Sequence, residues 1–145
     1  MLIRPMKVRN TLYGLLLAIV ALSGVQSSAL ARELTTSDQK IVADAIKDRL
    51  RDAASAMFKW GALEGVVTPA DDNSSSAIYC GYVNSRNAYG GFVGDTPYGI
   101  FLMFVDDAVV SAVVLGLGGA RRETNAAYQF CAQNGYGAGY FAGLR

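Results

Sequence analysis

The run from Tyr98 to Leu117 is strongly apolar, carries two carboxylates at its middle, Asp106 and Asp107, and is followed by Arg121-Arg122. As a membrane span it would place both carboxylates at the bilayer centre, at about 2.5–3.5 kcal/mol each. Two strands, Gly99 to Val105 and Ala108 to Leu115, turning at Asp-Asp, fit the same residues without that cost. Their near-continuous apolar composition predicts strands covered largely on both faces.

The remaining pattern is built around this hairpin. Thr36-Ser37-Asp38-Gln39 has the form of a capping box. From there Ile41, Val42, Ala45, Ile46, Leu50, Ala53, Ala54 and Met57 recur at helical spacing, with charges on the other face. This predicts an N-terminal amphipathic helix of about five turns. Met57 to Val67 reads as a strand and Thr68 to Ser76 as a polar loop. Ala77 to Val83 and Tyr89 to Val93 flank Asn84-Ser85-Arg86-Asn87, a four-residue connection suited to a first hairpin, with Gly90, Gly91 and Gly94 marking a bend. Arg121 to Gln133 reads as a short helix stopped by Asn134-Gly135, and Tyr136 to Arg145 as a strap or a frayed end. The class expected is α+β, with an antiparallel sheet of about four or five strands and a short C-terminal helix.

The first thirty-one residues have a basic start (Arg4, Lys7, Arg9), an apolar run from Leu12 to Leu22, and a small-residue ending with Ala29 and Ala31. That is the layout of a secretory signal peptide, with cleavage expected after Ala31 and one small domain over residues 32–145. The apolar run is about half of the roughly 20 residues a membrane span needs, so no stable insertion is expected after cleavage. Cleavage leaves 10 basic and 12 acidic residues, a mildly acidic periplasmic or extracellular protein. In such a compartment Cys80 and Cys131, the two cysteines of the chain, are expected to form a disulfide between a central strand and the last helix.

Composition excludes several chemistries. The chain has no His, which removes Ser-His-Asp, Cys-His and zinc-histidine sites. A formal charge of +1 argues against a nucleic-acid platform. Gly116-Leu117-Gly118-Gly119-Ala120-Arg121 places Arg121 where a dinucleotide loop needs its third glycine. Asp71-Asp72-Asn73 lacks the spacing of a calcium loop. Among the carboxylates outside the first helix, Glu64, Asp71, Asp72, Asp95, Asp106, Asp107 and Glu123, the sequence pairs none as acid and base. No catalytic, cofactor-binding or metal-ligating residue is assigned, and no cofactor is expected. The aromatic residues Tyr79, Tyr82, Tyr89, Phe92, Tyr98, Phe101 and Phe104 concentrate in the expected sheet and are read as core or sheet-face packing in preference to a carbohydrate- or peptide-binding platform.

One stretch stands out as a recognition candidate. Asn84, Ser85, Arg86 and Asn87, with adjoining Tyr89, place amides, a hydroxyl and a guanidinium on an expected turn between aromatic strands. The surrounding segment Tyr79-Cys80-Gly81-Tyr82-Val83-Asn84-Ser85-Arg86-Asn87-Ala88-Tyr89-Gly90-Gly91-Phe92-Val93-Gly94 resembles a motif, C-G-x-V-N-x-K-N-x-x-G-G-Y-x-G followed by P-F, of small exported proteobacterial proteins of uncharacterised function. Arg86 stands for its Lys, Phe92 for its Tyr and Pro97-Tyr98 for Pro-Phe. Upstream, Leu50 to Phe58 is similar to the group's L-K-D-P-x-S-A-x-F segment, with Ala53 for Pro. The resemblance implies an envelope-facing location and no activity. The function expected is a non-catalytic binding module acting on an envelope protein or wall component. An inhibitor or accessory subunit of an envelope enzyme is the alternative, and a small wall or polysaccharide hydrolase the third.

Overall fold

A computed structural model describes residues 31–118 and 126–144. The expected signal segment with Ala29, the end of the glycine stretch from Gly119 to Arg121 and the start of the helix expected from Arg121 lie outside the described residues; Ala31 is the first described and is exposed.

The Asp-Asp hairpin is present. Strands β4 (Thr96–Val105) and β5 (Ala108–Leu117) pair antiparallel, with Val105 opposite Ala108. Asp106 and Asp107 both have positive φ, 49° and 63°, the twist of a two-residue type I′ turn, and Asp106 N donates to Asn73 O. Cover on both faces is a correction: β4 is buried over its first half, but β5 is an edge strand with alternating exposure. Apolar composition reports what a strand is made of and not whether a neighbour lies beside it.

The strand order is β1-β3-β4-β5, all antiparallel, with β1 at Met57–Lys59 and β3 at Ser74–Asn84; the short β2 (Thr68–Pro69) also pairs with β3. The strand expected over Met57 to Val67 therefore survives only as its first three residues, after which Leu63 makes an isolated bridge to Arg32. The first hairpin is also redrawn. β3 pairs with β4 from Ser74↔Val105 to Val83↔Thr96, so the connection is residues 85–95 and not Asn84 to Asn87, and Tyr89 to Val93 is not a strand.

Helix α1 (Thr36–Lys47) is capped by Thr35, one residue before the expected cap Thr36. Thr35 Oγ1 accepts from Asp38 N, and Asp38 Oδ2 accepts from Thr35 N, so the reciprocal box closes on Asp38 and not on Gln39. The helix also ends ten residues earlier than the spacing suggests. Arg49 N and Leu50 N donate to carbonyls three residues back, and Asp52 then caps a 3₁₀ turn, Ala53–Ser55, by accepting from Ser55 N. This tightening redirects the chain so that Met57 can pair with Asn84. Val42 and Ile46 of α1 are buried with Tyr79, Tyr98, Ile100 and Leu102 on one face of the sheet.

The opposite face is covered at one end by α2 (Ala126–Gln133) and α3 (Ala138–Gly143). Gly99 makes this possible, since a Cβ there would lie 2.8 Å from the Phe130 ring. Cys80 of β3 and Cys131 of α2 form a disulfide with Cα atoms 6.0 Å apart. The bond ties a central strand to α2, and the last helix is α3, a strap packed through buried Phe141. Tyr136 donates to Ile78 O at 2.7 Å and Tyr140 to Cys80 O at 2.6 Å, so the aromatic tail is part of the core and not a frayed end. The fold is α+β.

Candidate functional site

Residues 85–95 leave the sheet where β3 ends and return where β4 begins. Two glycines set the path. Gly90 and Gly94 have φ of +82° and +87°, a region side chains with a Cβ rarely adopt, which breaks the strand that Tyr89 to Val93 would otherwise extend. The asparagines then take the place of a strand partner. Asn87 Oδ1 accepts from Tyr89 N and Gly91 N, and Asn84 Oδ1 accepts from Gly94 N at 3.0 Å. Backbone bonds from Asn87 N to Gly91 O and from Val93 N to Ser85 O close the loop, and Arg86 bridges to Phe92.

The base of the loop is docked on the 3₁₀ turn, where Ser55 Oγ accepts from Arg86 N at 2.9 Å. Ser85 is buried beneath it. The five sequence-derived residues therefore divide. Asn84 and Asn87 hold the backbone, and Ser85 lies inside. Arg86 and Tyr89 are presented outward. Tyr89 is 97 % exposed at the tip, and the Arg86 guanidinium lies 5.1 Å from the centroid of the half-exposed Phe92 ring. Sheet packing is therefore a correction for Tyr89 and Phe92, which lie exposed on the loop and not in a strand; the role of Phe92 under Arg86 was not legible in the sequence.

The sequence does not signal a second concavity at the end of the sheet. Trp60, Tyr140, Glu33 and Glu64 line a groove of about 410 Å³ formed where residues 60–64 pass α3. Tyr140 is oriented by its bond to Cys80 O, and burial pushes its hydroxyl well above the ordinary tyrosine range. Glu33 sits beside the expected cleavage position and Glu64 in an expected strand, so only the fold brings the two carboxylates to one groove. A third cleft, about 310 Å³, gathers Asp71, Asp72, Asp106 and Asp107 at the opposite end from the loop. There Asp71 Oδ1 accepts from Asn73 N and Ser74 N, and hydrogen bonding holds its carboxyl below the ordinary range. Among the described residues no three His, Cys, Asp or Glu side chains are grouped to hold a metal ion.

No family model matches the chain, and neither a curated protein nor a solved structure matches it.

Proposed function

We propose that the protein is an exported, non-catalytic binding module whose recognition surface is the tip of the 85–95 loop. The observation that carries this reading is the near-complete exposure of Tyr89 beside the stacked Arg86 and Phe92, on a loop whose asparagines already satisfy its backbone. Tyrosine and arginine dominate binding energy at protein interfaces because they combine a large apolar area with a few directed hydrogen bonds. An exposed aromatic held on a stiff loop is ordered before binding, which lowers the entropy lost on association. Export is supported by the three-zone N-terminal segment and by the disulfide, which persists in oxidising compartments. The partner class is an envelope protein or wall component. A projecting loop of this kind also suits an inhibitor or accessory subunit.

A photoreactive residue in place of Tyr89, introduced in cells, tests the reading against the same residue in place of the equally unencumbered Val66, which is 78 % exposed. Discrete adducts from position 89 and none from position 66 are expected. Equal, diffuse labelling from both positions would overturn the loop as a recognition site. The groove with Glu33, Glu64 and Trp60 favours the hydrolase as a second reading, since a carboxylate pair beside an indole is a composition that suits sugars. Turnover of wall fragments that disappears in Glu64→Gln would support it, and absence of turnover by the native chain would remove it.

A further inference from the structure

Residues 60–67 run along the edge of β3, from β1 to β2. Tyr136 pins them there: its hydroxyl accepts from Gly65 N at 3.0 Å and donates to Ile78 O at 2.7 Å. A Cβ on residue 65 would lie 2.6 Å from Ile78 O, so only glycine lets the chain lie this close to β3. The crossing leaves two hollows that meet at Glu64. One is the groove of about 410 Å³ at Trp60, and the other, of about 340 Å³, has Ile78 and Phe101 with Thr68, Ser76 and Gln133 in its lining. Glu64 lines both, and each has the size of a small-molecule site.

We propose that the two hollows together bind an amino-sugar oligomer, with Glu64 between successive rings. Sugars combine apolar ring faces with hydroxyls that both donate and accept. The lining matches both properties: Trp60 and Phe101 supply aromatic surface, and the hydroxyls of Thr68 and Ser76 and the amide of Gln133 donate and accept in turn. Among the described residues these three side chains and the Glu64 carboxylate have no hydrogen-bond partner of their own, so they are free for a ligand. An apolar ligand would leave them unpaired on burial. Charge then selects the class of sugar. Neither hollow is lined by Lys or Arg, and the charges present are those of Glu33 and Glu64. Arg32, next to Glu33 in sequence, turns its guanidinium to Asp38 and to the Asp107 carbonyl. An ammonium group is therefore attracted and a uronic acid repelled. The indole is also ordered in advance, stacked on Phe58 at 5.1 Å and near Tyr79 at 6.4 Å between centroids. Binding here requires neither the loop tip at Tyr89 nor the cleavage of any bond.

Trp60 is the single tryptophan of the chain, so its emission reports on this site alone. The purified protein is titrated with a β-1,4-linked glucosamine tetramer from about 10 micromolar to 10 millimolar, and in parallel with its N-acetylated form and with a galacturonic acid tetramer. A saturating change in emission is expected with the glucosamine tetramer, about fivefold weaker binding with the N-acetylated one and none with the acid. Glu64→Gln should weaken binding about fivefold while circular dichroism stays native. Gln133→Ala should weaken it about threefold although Gln133 does not line the groove of Trp60, which reports a ligand reaching both hollows. Asp48→Asn, on the far side of α1, should leave it unchanged. No change in emission with the glucosamine tetramer overturns the proposal, as does equal binding of the N-acetylated or acidic tetramer. Binding that ignores Glu64→Gln or Gln133→Ala, or that Asp48→Asn weakens as much, overturns it too.

Discussion

Asp38 shows how one residue serves several elements. It is 2 % exposed, yet it caps α1, accepts from Val109 N on β5 at 2.9 Å and pairs with the Arg32 guanidinium at 3.1 Å. Burial works to raise its carboxyl, but the bonds from Val109 and Thr35 and the charge of Arg32 outweigh burial and hold it below the ordinary range. A carboxyl lowered in the folded state stabilises the fold above its unfolded value of about 4, and that contribution is lost as pH falls through the folded value. Asp38→Asn should therefore cost about 2 kcal/mol at neutral pH and make the acid side of the melting profile flatter. Thermal melts of both chains between about pH 2 and pH 7 check this; parallel profiles would show that Asp38 does not carry the dependence.

At the scale of elements, the hairpin and the loop show where sequence was informative. Asp106-Asp107 could be read as a turn because two carboxylates have no other place in an apolar run, and the positive φ of both residues agrees. Asn-Gly is the preferred pair for that geometry, so Asp106→Asn with Asp107→Gly, which relieves left-handed strain at the cost of a freer unfolded chain, should raise stability by about 1 kcal/mol or less, measured by denaturant melts. Arg32 bonds only the backbone oxygen of Asp107, so that contact survives the change. The 85–95 loop was not legible as a loop. Tyr89, Phe92 and Val93 have strand propensity, and what overrides it is local backbone chemistry that propensity does not register: left-handed glycines and asparagine oxygens that replace a strand's hydrogen-bond partner. The end of α1 escaped for a similar reason. Ala53 and Ala54 keep helical spacing but bury too little to hold another turn against the pull of β1 on β3.

For the whole molecule, the cores on the two faces of the sheet meet through tyrosines. The rings of Tyr79 and Tyr136 approach to 6.3 Å between centroids and those of Tyr136 and Tyr140 to 4.7 Å, around the strand that carries the disulfide. Burial first, then neighbouring tyrosines, pushes the hydroxyls of Tyr98 and Tyr140 up, and burial also raises Tyr79 and Tyr136. With folded values above the unfolded value of about 10, this network stabilises the fold fully below that pH and loses its contribution as pH rises beyond it. An ultraviolet titration should show these four phenols ionising together with unfolding; smooth, independent ionisation of all tyrosines in a folded chain would contradict their burial. The disulfide closes 51 positions across the same core, and the chain-entropy account assigns it about 4 kcal/mol. Such a core leaves the loop free to carry recognition without carrying stability.

That separation is tested most directly by Arg86→Ala, read as adduct yield from a photoreactive residue at position 89 in cells alongside the melting temperature of the same chain. Arg86 contributes its backbone N–H to Ser55 whatever its side chain, and its guanidinium rests on an exposed ring. A sharp fall in adduct yield with a melting temperature within about 2 °C of native is the predicted result. An unchanged yield, or a yield that falls only in step with melting, would contradict the account.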